Sequence, residues 1–170
     1  MVRVRANLIV AGNGMTTLNG SSRPLSNPED RRRFHALRKA SSAVAIGGST
    51  FRSEPYSKCP LPLFVATTNR DLEGELSSAQ ERKFLNLSPL ELVKFALKQI
   101  DGALLIEGGV SFLRELIEAE IIDELQITRV ETHGDGHPFD DLLLQKHYRL
   151  LSSEDSYQSK FEIWAPRKSW

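Results

Sequence analysis

The sequence has few of the features that mark disulfide-rich, membrane or nucleic-acid-binding proteins. Its 170 residues include one cysteine, Cys59, which excludes an internal disulfide or a cysteine-based zinc cluster and fits a reducing cytoplasm. The longest apolar runs fall far short of the roughly 18 residues of a membrane span. Basic and acidic residues number 22 each, and the basic residues do not cluster into a stripe that would attract nucleic acid. We therefore expect a cytoplasmic protein with no membrane or nucleic-acid partner, which binds any phosphate through local groups.

The hydrophobic pattern predicts strands that alternate with helices in one domain, residues 1–170. Strands are predicted at 2–10, 42–46, 63–67, 103–106 and 123–130, and a C-terminal hairpin at 148–152 and 160–165. Helices are predicted at 28–39, after a Ser26 or Asn27 cap, at 90–100, after the Ser88 and Glu91 capping box, and at 110–120. Long polar segments at 12–24 and 73–82 indicate a loop and a surface helix or loop. This order predicts an α/β three-layer sandwich with a mostly parallel central sheet and a C-terminal antiparallel hairpin.

Two of the predicted strands end in glycine pairs, and a third ends in hydroxyl and guanidinium side chains. The three ends comprise Glu107, Gly108, Gly109, Val110 and Ser111; Gly47, Gly48, Ser49 and Thr50; and Thr67, Thr68 and Arg70. Ligands of open α/β sheets bind beyond the carboxyl ends of parallel strands, where a bare glycine backbone offers N–H donors to a diphosphate. The Arg70 guanidinium is suited to a ribose 2′-phosphate. We expect these three ends to line one dinucleotide cleft.

Simpler explanations exist for each of these features. A glycine pair is often only a tight turn, and neither G-x-G-x-x-G nor G-x-x-x-x-G-K-[ST] is present, although the coincidence of two pairs favours binding. Glu107 could be a solvated strand-end acid, the buried partner of an arginine, or a group that meets a ligand. His133 and His137 flank a glycine-rich turn with no evident third ligand, so a turn is preferred to a metal site. Cys59 carries no nucleophile signature.

Several motifs resemble those of the dihydrofolate reductase-like superfamily, and within it the pyrimidine reductase domain of riboflavin biosynthesis. The resemblance covers nearly the whole chain. The matching segments are residues 17–20 (TLNG), 35–38 (HALR), 43–50 (AVAIGGST), 105–109 (LIEGG), 123–125 (DEL) and 134–136 (GDG) with Phe139. The E-G-G turn followed by D-E-L at this spacing is the most specific part.

This resemblance implies an NADPH-dependent reductase that transfers a hydride to C1′ of a ribosylamino-pyrimidine 5′-phosphate. Glu107 would be the catalytic residue, placed at the substrate and the nicotinamide. The residues that would bind NADPH are Gly47, Gly48, Thr50, Thr67, Thr68, Arg70, Gly108, Gly109, Val110 and Ser111. The residues that would bind the substrate are Asn19, Ser22, Arg38 and Glu54. No metal is expected.

The substrate side departs further from the family pattern than the cofactor side does. Family members continue into D-D-P or D-N-P and then an arginine that binds substrate phosphate, whereas this chain has FRSEP at 51–55. Glu54 stands in for the aspartate, and Arg52 or Lys58 for the missing positive charge. Asn19 replaces the aspartate of the family's S-L-D-G motif. With one cysteine, these 170 residues are not expected to contain the zinc-binding deaminase half of the bifunctional riboflavin enzyme.

Two alternatives stay open. The helix at 28–39 shows no clear folate-binding acid in an apolar setting, so a reductase of another pterin or pyrimidine is the second choice. A nucleotide-binding module without turnover is the third, because the substrate motifs are altered. Related domains pair as homodimers, and the apolar stretch at 161–164 is the expected contact.

Overall fold

A computed structural model of the chain describes residues 1–68, 81–156 and 158–168. The strands in these residues are β1 Val4–Val10, β2 Met15–Thr17, β3 Ala43–Gly47, β4 Leu63–Ala66, β5 Arg82–Leu85, β6 Leu104–Ile106, β7 Glu124–Val130, β8 Gly136–Pro138, β9 Tyr148–Ser156 and β10 Ser159–Pro166. The helices are α1 Pro28–Lys39, α2 Gly48–Ser53, α3 Pro89–Leu97, α4 Val110–Glu118 and α5 Asp141–His147. Single 3-10 turns lie at Arg23–Leu25 and Tyr56–Lys58. No helix in the described ranges is long and apolar enough to cross a membrane.

Eight strands form one mostly parallel sheet in the order β5-β4-β3-β6-β1-β7-β10-β9. Neighbours from β5 to β7 are parallel, and β10 pairs antiparallel with both β7 and β9. The predicted parallel sheet with a C-terminal antiparallel hairpin is therefore confirmed. The hairpin strands are longer than predicted, since the polar residues 153–156 extend β9. β2 and β8 form a separate two-stranded ladder.

Helices cover both faces of the sheet, as the apolar strands require. Along β3, Ala43 and Ala45 pack in a core with the buried sides of α3 and α4, while Val44 and Ile46 pack in a second core with Leu37 of α1. Alternate residues of a strand point to opposite faces, so a strand that is apolar throughout needs cover on both sides. The predicted three-layer sandwich is thus observed.

Local signals in the sequence account for where the main elements start. Asn27, rather than Ser26, caps α1 by accepting a bond of 2.9 Å from the Asp30 N–H. Ser88 and Glu91 form the predicted capping box of α3. The aspartate of the D-E-L motif has a structural role, because the Asp123 carboxylate accepts the N–H groups of Arg3 at 2.7 Å and Val4 at 2.8 Å where β1 begins.

Five short elements, α2, α5, β2, β5 and β8, lack a strong pattern and were not predicted. β5 is a four-residue edge strand in which Phe84 is buried beside the charged Arg82 and Lys83. The polar helix or loop predicted at 73–82 lies outside the described residues except at its end, where Arg82 begins β5. The ladder of β2 with β8 and the seven-residue α5 were likewise not predicted. Edge strands often carry charge, which hides them from a search for apolar runs.

One expectation about the C-terminal strand is wrong. The stretch at 161–164 was expected to contact a second copy, but Phe161 and Trp164 are 4% and 8% exposed. β10 lies between β7 and β9, so both backbone edges are paired within the chain. The aromatic side chains of this strand pack inside the protein and leave no surface for a partner.

Candidate active site

A large cavity opens at the carboxyl ends of β3, β4 and β6, which are neighbours in the sheet. Its volume is about 1020 Å³, at the upper end of the roughly 300–1,000 Å³ typical of small-molecule sites. The lining comes from these three strand ends, from β1, α1 and α2, and from the loop that precedes α1. The three strand ends picked out in the sequence therefore line a single cavity.

The backbone after β6 adopts a conformation that requires glycine. Gly108 and Gly109 both have φ of +81°, a region that residues with a Cβ rarely adopt. A Cβ on Gly109 would lie 3.0 Å from Thr50 Oγ1 and 3.3 Å from Phe112 Cβ, whereas one on Gly108 would meet nothing within 4 Å. Gly109 is thus needed for close packing, and Gly108 leaves open space beside the cavity.

The start of α4 presents backbone donors to the cavity. The first intrahelical bond here runs from the Leu113 N–H to the Gly109 carbonyl, at 2.9 Å. Within the described ranges, no protein group accepts a bond from the N–H groups of Gly109, Val110 or Ser111, which all line the cavity. Unpaired N–H groups at the positive end of a helix dipole attract anions. This turn fits the diphosphate of a dinucleotide.

The second glycine pair supports the first. A Cβ on Gly48 would lie 3.0 Å from Thr67 Oγ1, so glycine allows the ends of β3 and β4 to pack closely. A Cβ on Gly47 would make an ordinary contact, 3.5 Å from the Phe112 ring. Thr67 and Thr68 also line the cavity. The two glycine turns are therefore side by side. Arg70, predicted to bind the 2′-phosphate, lies outside the described residues.

The predicted substrate-binding residues are only partly brought together. Ser22, Arg38 and Glu54 line the cavity, whereas Asn19 is exposed and does not. The Asn19 N–H instead donates to both carboxylate oxygens of Asp135, each at 3.1 Å. Asn19 thus connects the loop before α1 to the glycine-rich turn before β8.

Glu54 connects the same loop to the end of α2. Its Oε1 accepts the Ser22 N–H at 2.8 Å and the Ser22 hydroxyl at 3.0 Å, while Oε2 accepts the Ser21 hydroxyl at 3.1 Å. Three bonds on one carboxylate fix the two segments relative to each other. Of the two candidates for a compensating positive charge, Arg52 lines the cavity and Lys58 does not.

Glu107 is the buried partner of an arginine, one of the three alternatives that its sequence position allows. Arg38 Nε donates to Oε1 and Arg38 Nη2 donates to Oε2, both at 2.7 Å. The two side chains are 17% and 2% exposed. Burial alone would lower the pKa of Arg38, but the hydrogen bonds and charge of Glu107 outweigh it and raise that pKa. Arg38 therefore stays charged.

A tyrosine that the sequence analysis missed completes this cluster. The Tyr56 hydroxyl donates to Glu107 Oε2 at 2.9 Å, and the residue is 6% exposed. Burial, followed by the charge of Glu107, raises the pKa of Tyr56 well above its usual value, so the phenol remains a donor. The Arg38 guanidinium carbon lies 4.3 Å from the centroid of the Phe34 ring and 5.6 Å from that of Tyr56. Arg38 is held by one carboxylate and two aromatic rings.

Two further residues that line the cavity could have been found from their spacing on α1. Asp30 and Phe34 lie one helical turn apart on α1 and both line the cavity. Asp30 is 8% exposed, and its Oδ2 accepts the Ser26 hydroxyl at 2.6 Å. The spacing of four residues puts both on one face of α1. Tyr56, in contrast, lies in an irregular segment with no periodicity from which its position could be predicted.

Replacing Tyr56 with phenylalanine tests how firmly Glu107 is held. The variant is expected to lose about 1.5–3 kcal/mol of unfolding free energy, because a buried bond to a carboxylate disappears. Urea denaturation measures the loss. Ser41→Ala is the control, since the Ser41 hydroxyl donates a single neutral bond, to the Leu37 carbonyl, and its loss should cost about 0.5–1.5 kcal/mol. An equal or smaller loss for Tyr56→Phe would contradict the assignment.

The remaining candidates form no metal site or reactive thiol in the described part of the chain. No group of three or more potential metal ligands occurs there; His133 is exposed in the turn that leads into β8, and His137 is exposed within β8, where it lines the cavity. Cys59 is fully buried, and burial raises the pKa of its thiol. A buried thiol with a raised pKa is a poor nucleophile.

The sheet order, the covering helices and the cavity at the strand ends define an α/β protein of the dihydrofolate reductase-like class. A family model places it further: the chain belongs to the RibD C-terminal domain family, whose model matches residues 13–155. No curated protein matches the sequence at a significant level.

Solved structures that share this fold include two reductases. Dihydrofolate reductase from Enterococcus faecalis, complexed with NADP(H) and RAB-propyl, aligns with a TM-score of 0.72 and 18% identity, over 98% of this chain and 97% of that one. A diaminohydroxyphosphoribosylaminopyrimidine deaminase/5-amino-6-(5-phosphoribosylamino)uracil reductase from Thermotoga maritima aligns with a TM-score of 0.73 and 14% identity. That alignment covers 97% of this chain and 56% of the Thermotoga chain, so this chain spans about half of the larger protein.

Proposed function

We propose that this chain is a cytoplasmic, NADPH-dependent reductase that forms a single reductase domain over residues 1–170. Its proposed substrate is the ribosylamino-pyrimidine 5′-phosphate of riboflavin biosynthesis, which would be reduced at C1′ to the ribitylamino form. The family membership supports a reductase. The observation that carries the proposal is the Gly108–Gly109 turn with its free N–H groups, next to a second glycine turn in one cavity.

The cofactor side of the cavity would bind NADPH, which supplies the hydride when bound. Val110 and Ser111 would donate their N–H groups to the diphosphate, and Gly108 would let it approach the backbone. The turn formed by Gly47, Gly48 and Thr50 would support the Gly108–Gly109 turn, because Gly48 lies close to Thr67 and Thr50 lies close to Gly109. Thr67, Thr68 and Arg70 are proposed for the adenosine 2′-phosphate, where hydroxyls and a guanidinium suit a dianion.

On the substrate side we propose that Arg38 meets the substrate and that Glu107 acts mainly by holding Arg38. Both Glu107 oxygens are already bonded to Arg38, and one also to Tyr56, so the carboxylate is poorly placed to exchange a proton. Arg38 Nη1, in contrast, has no protein partner in the described residues, and Arg38 lines the cavity. A fixed donor of this kind can orient a substrate oxygen beside the hydride donor. Ser22 and Glu54 are proposed to shape the same end.

Cofactor binding and turnover are tested separately. NADPH fluorescence is followed during titration with protein, and NADPH absorbance is then followed after addition of the candidate pyrimidine. Binding together with oxidation supports the reductase proposal. Binding without oxidation of any candidate substrate favours the nucleotide-binding module. Absence of NADPH binding rejects both.

The position of Asp30 favours a second candidate, a reductase of a pterin. A buried carboxylate that lines the cavity can accept N–H groups from an amino-substituted ring, and Phe34 beside it offers a face for stacking. The sequence alone does not reveal such an acid in an apolar setting, so from the sequence this candidate ranks below the pyrimidine reductase. Comparing the oxidation of NADPH by dihydrofolate and by the pyrimidine distinguishes the two.

Asp30→Asn is expected to weaken binding of whichever substrate is reduced by about 10- to 100-fold, because a charge-assisted bond to a ring N–H becomes a neutral one. NADPH affinity should not change, since Asp30 lies on the substrate side. Steady-state kinetics and NADPH titration measure the two quantities. Asp101→Asn, which alters an exposed carboxylate outside the cavity, is the control. Unchanged substrate affinity in Asp30→Asn would remove Asp30 from the site.

A homodimer is also proposed, with a different contact from the one expected from the sequence. β9 is the outer strand of the sheet, and Leu150 and Leu151 on it are 46% and 53% exposed. Antiparallel pairing of two copies centred on Ser152 would place Arg149 of each copy opposite Asp155 of the other. Leu151→Lys should shift sedimentation towards the monomer, whereas Leu142→Lys, which alters a 79% exposed leucine on α5, should not. A monomeric parent protein would refute the proposal.

A further inference from the structure

Reduction of the proposed substrate needs a proton as well as a hydride. At C1′ a bond to the hydride forms and the bond to the ring oxygen O4′ breaks, while NADPH is oxidised to NADP⁺. The electron pair of the broken bond stays on O4′, which must take up a proton to become a hydroxyl of the open sugar. A side chain that gives a proton to this oxygen would therefore speed the reaction.

The acidic side chains that line the cavity are already committed to other bonds. Both oxygens of Glu107 are bonded, and burial raises the pKa of Tyr56 well above its usual value, so neither group is placed to deliver a proton. Glu54 accepts three bonds from the loop before α1, Glu115 accepts a backbone N–H at the start of α3, and Asp30 accepts a loop hydroxyl. The proton must therefore come from another kind of side chain.

Two histidines also line the cavity, His35 on α1 and His137 on β8. Both are exposed, and neither ring has a hydrogen-bond partner within the described residues. Histidine is the side chain that most often transfers protons in enzymes, whereas the arginines of the lining keep their protons. The two histidines are thus the candidates for a proton donor.

The backbone distinguishes His137 from His35. His137 has φ of +54°, in a region that residues with a Cβ rarely adopt. Its carbonyl accepts the hydroxyl of Thr16 at 2.7 Å, and Thr16 is 4% exposed and lines the cavity as well. Residues that the surrounding structure holds in such a conformation cluster at functional sites. His35, in contrast, lies in the regular helix α1.

The neighbours of His137 fix it at the edge of the cavity. Before it, a Cβ on Gly136 would lie 2.5 Å from Thr17 Oγ1, so glycine allows β8 to pack closely on β2. After it, the Phe139 N–H donates to the Gly14 carbonyl at 2.9 Å. β2 carries no charged residue, and the acid in the turn before β8, Asp135, is bonded to the loop before α1. The ring therefore extends from ordered backbone with no carboxylate bonded to it.

We propose that His137 is the proton donor to O4′ of the substrate. This inference rests on the proposed function, since it assigns the proton of that reaction to a side chain. The imidazolium of His137 gives its proton to O4′ as the bond from C1′ to O4′ breaks. The exposed ring then regains a proton from water.

The test uses His137→Gly, because glycine adopts a positive φ without strain and the change removes the ring alone. With the pyrimidine as substrate, kcat should fall at least about 100-fold, which is the contribution typical of a general acid. NADPH affinity should not change. Added imidazole should restore part of the lost kcat, because it supplies the missing proton donor from solution. NADPH absorbance and fluorescence measure the two quantities.

Two further variants separate proton transfer from a structural role. Asparagine also tolerates a positive φ and can form hydrogen bonds, but it does not transfer protons. His137→Asn should therefore be as slow as His137→Gly. His35→Ala is the matched control, since it removes the other exposed histidine of the lining, and it should keep its kcat and not respond to imidazole.

The proposal is overturned by full kcat in His137→Gly, by a loss that imidazole does not restore, or by recovery of activity in His137→Asn. Imidazole rescue of His35→Ala would assign the proton to His35 instead. An active parent protein with an equally active His137→Gly rejects the proton donor alone. If the parent protein oxidises no NADPH with the pyrimidine, the proposed function fails, and the assignment of His137 to O4′ fails with it.

Discussion

A variant with aspartate in place of Gly109 is expected to remain folded but to lose at least about 100-fold in NADPH affinity. The added Cβ would lie 3.0 Å from Thr50 Oγ1 and 3.3 Å from Phe112 Cβ, so the turn would have to shift. The added carboxylate would also compete with the diphosphate for the N–H groups of Val110 and Ser111 and repel its charge. Fluorescence titration with NADPH measures the effect.

The control separates backbone strain from loss of the site. Gly14 has φ of +84°, close to that of Gly109, has open space around its Cβ position and does not line the cavity. Gly14→Asp should therefore lower the free energy of unfolding by about 1–2 kcal/mol, the same cost that the positive φ alone imposes on Gly109→Asp. It should leave NADPH affinity unchanged. If Gly109→Asp bound NADPH as tightly as the control, the cofactor would have to bind elsewhere.

The sequence is sufficient to predict the glycine turns because their cause is local. A buried parallel strand is apolar along its whole length, so β3 and β6 stand out, and the residues after them must lie at the carboxyl edge of the sheet. Their adjacency follows once β3 is placed between β4 and β6. Spacing along the chain does not determine that order, which the structure shows.

The contacts of Glu107 could not be predicted, because they depend on residues that are far apart in the chain. Arg38 is 69 residues away and Tyr56 is 51 residues away, and no periodicity relates either to the E-G-G turn. The sequence alone allowed a solvated acid, an arginine partner or a ligand-binding group for Glu107. Only the packing of α1 against the sheet brings Arg38 to it. Asp30 was underestimated for the same reason, since its burial results from the loop that folds over α1.

The ion pair of Arg38 and Glu107 is expected to give the largest stability effect of any single contact. In Arg38→Met, the Glu107 carboxyl, whose side chain is 2% exposed, would lose its cationic partner, at a cost of about 3–5 kcal/mol. Glu107→Leu should cost a similar amount by leaving the Arg38 guanidinium unpaired between Phe34 and Tyr56. Urea denaturation of both variants measures these losses.

The double variant Arg38→Met with Glu107→Leu should be more stable than either single variant, because apolar side chains of similar volume no longer leave a buried charge. The control pair is Arg114 and Glu118 on α4, which are 62% and 48% exposed and should couple by only about 0.3–0.5 kcal/mol. Losses that simply add in the double variant would show that the two side chains act independently.

The same double variant separates the structural role of the pair from its role towards the substrate. If Arg38 only stabilises the fold, restoring stability should restore substrate binding. If Arg38 donates to the substrate through Nη1, the double variant should bind NADPH normally and still bind substrate about 10- to 100-fold more weakly, since a charged donor is lost from the cavity. Glu107→Gln extends the test, because it keeps Arg38 in place with a weaker partner and should have an intermediate effect. Full substrate affinity in a stable double variant would show that neither residue meets the substrate.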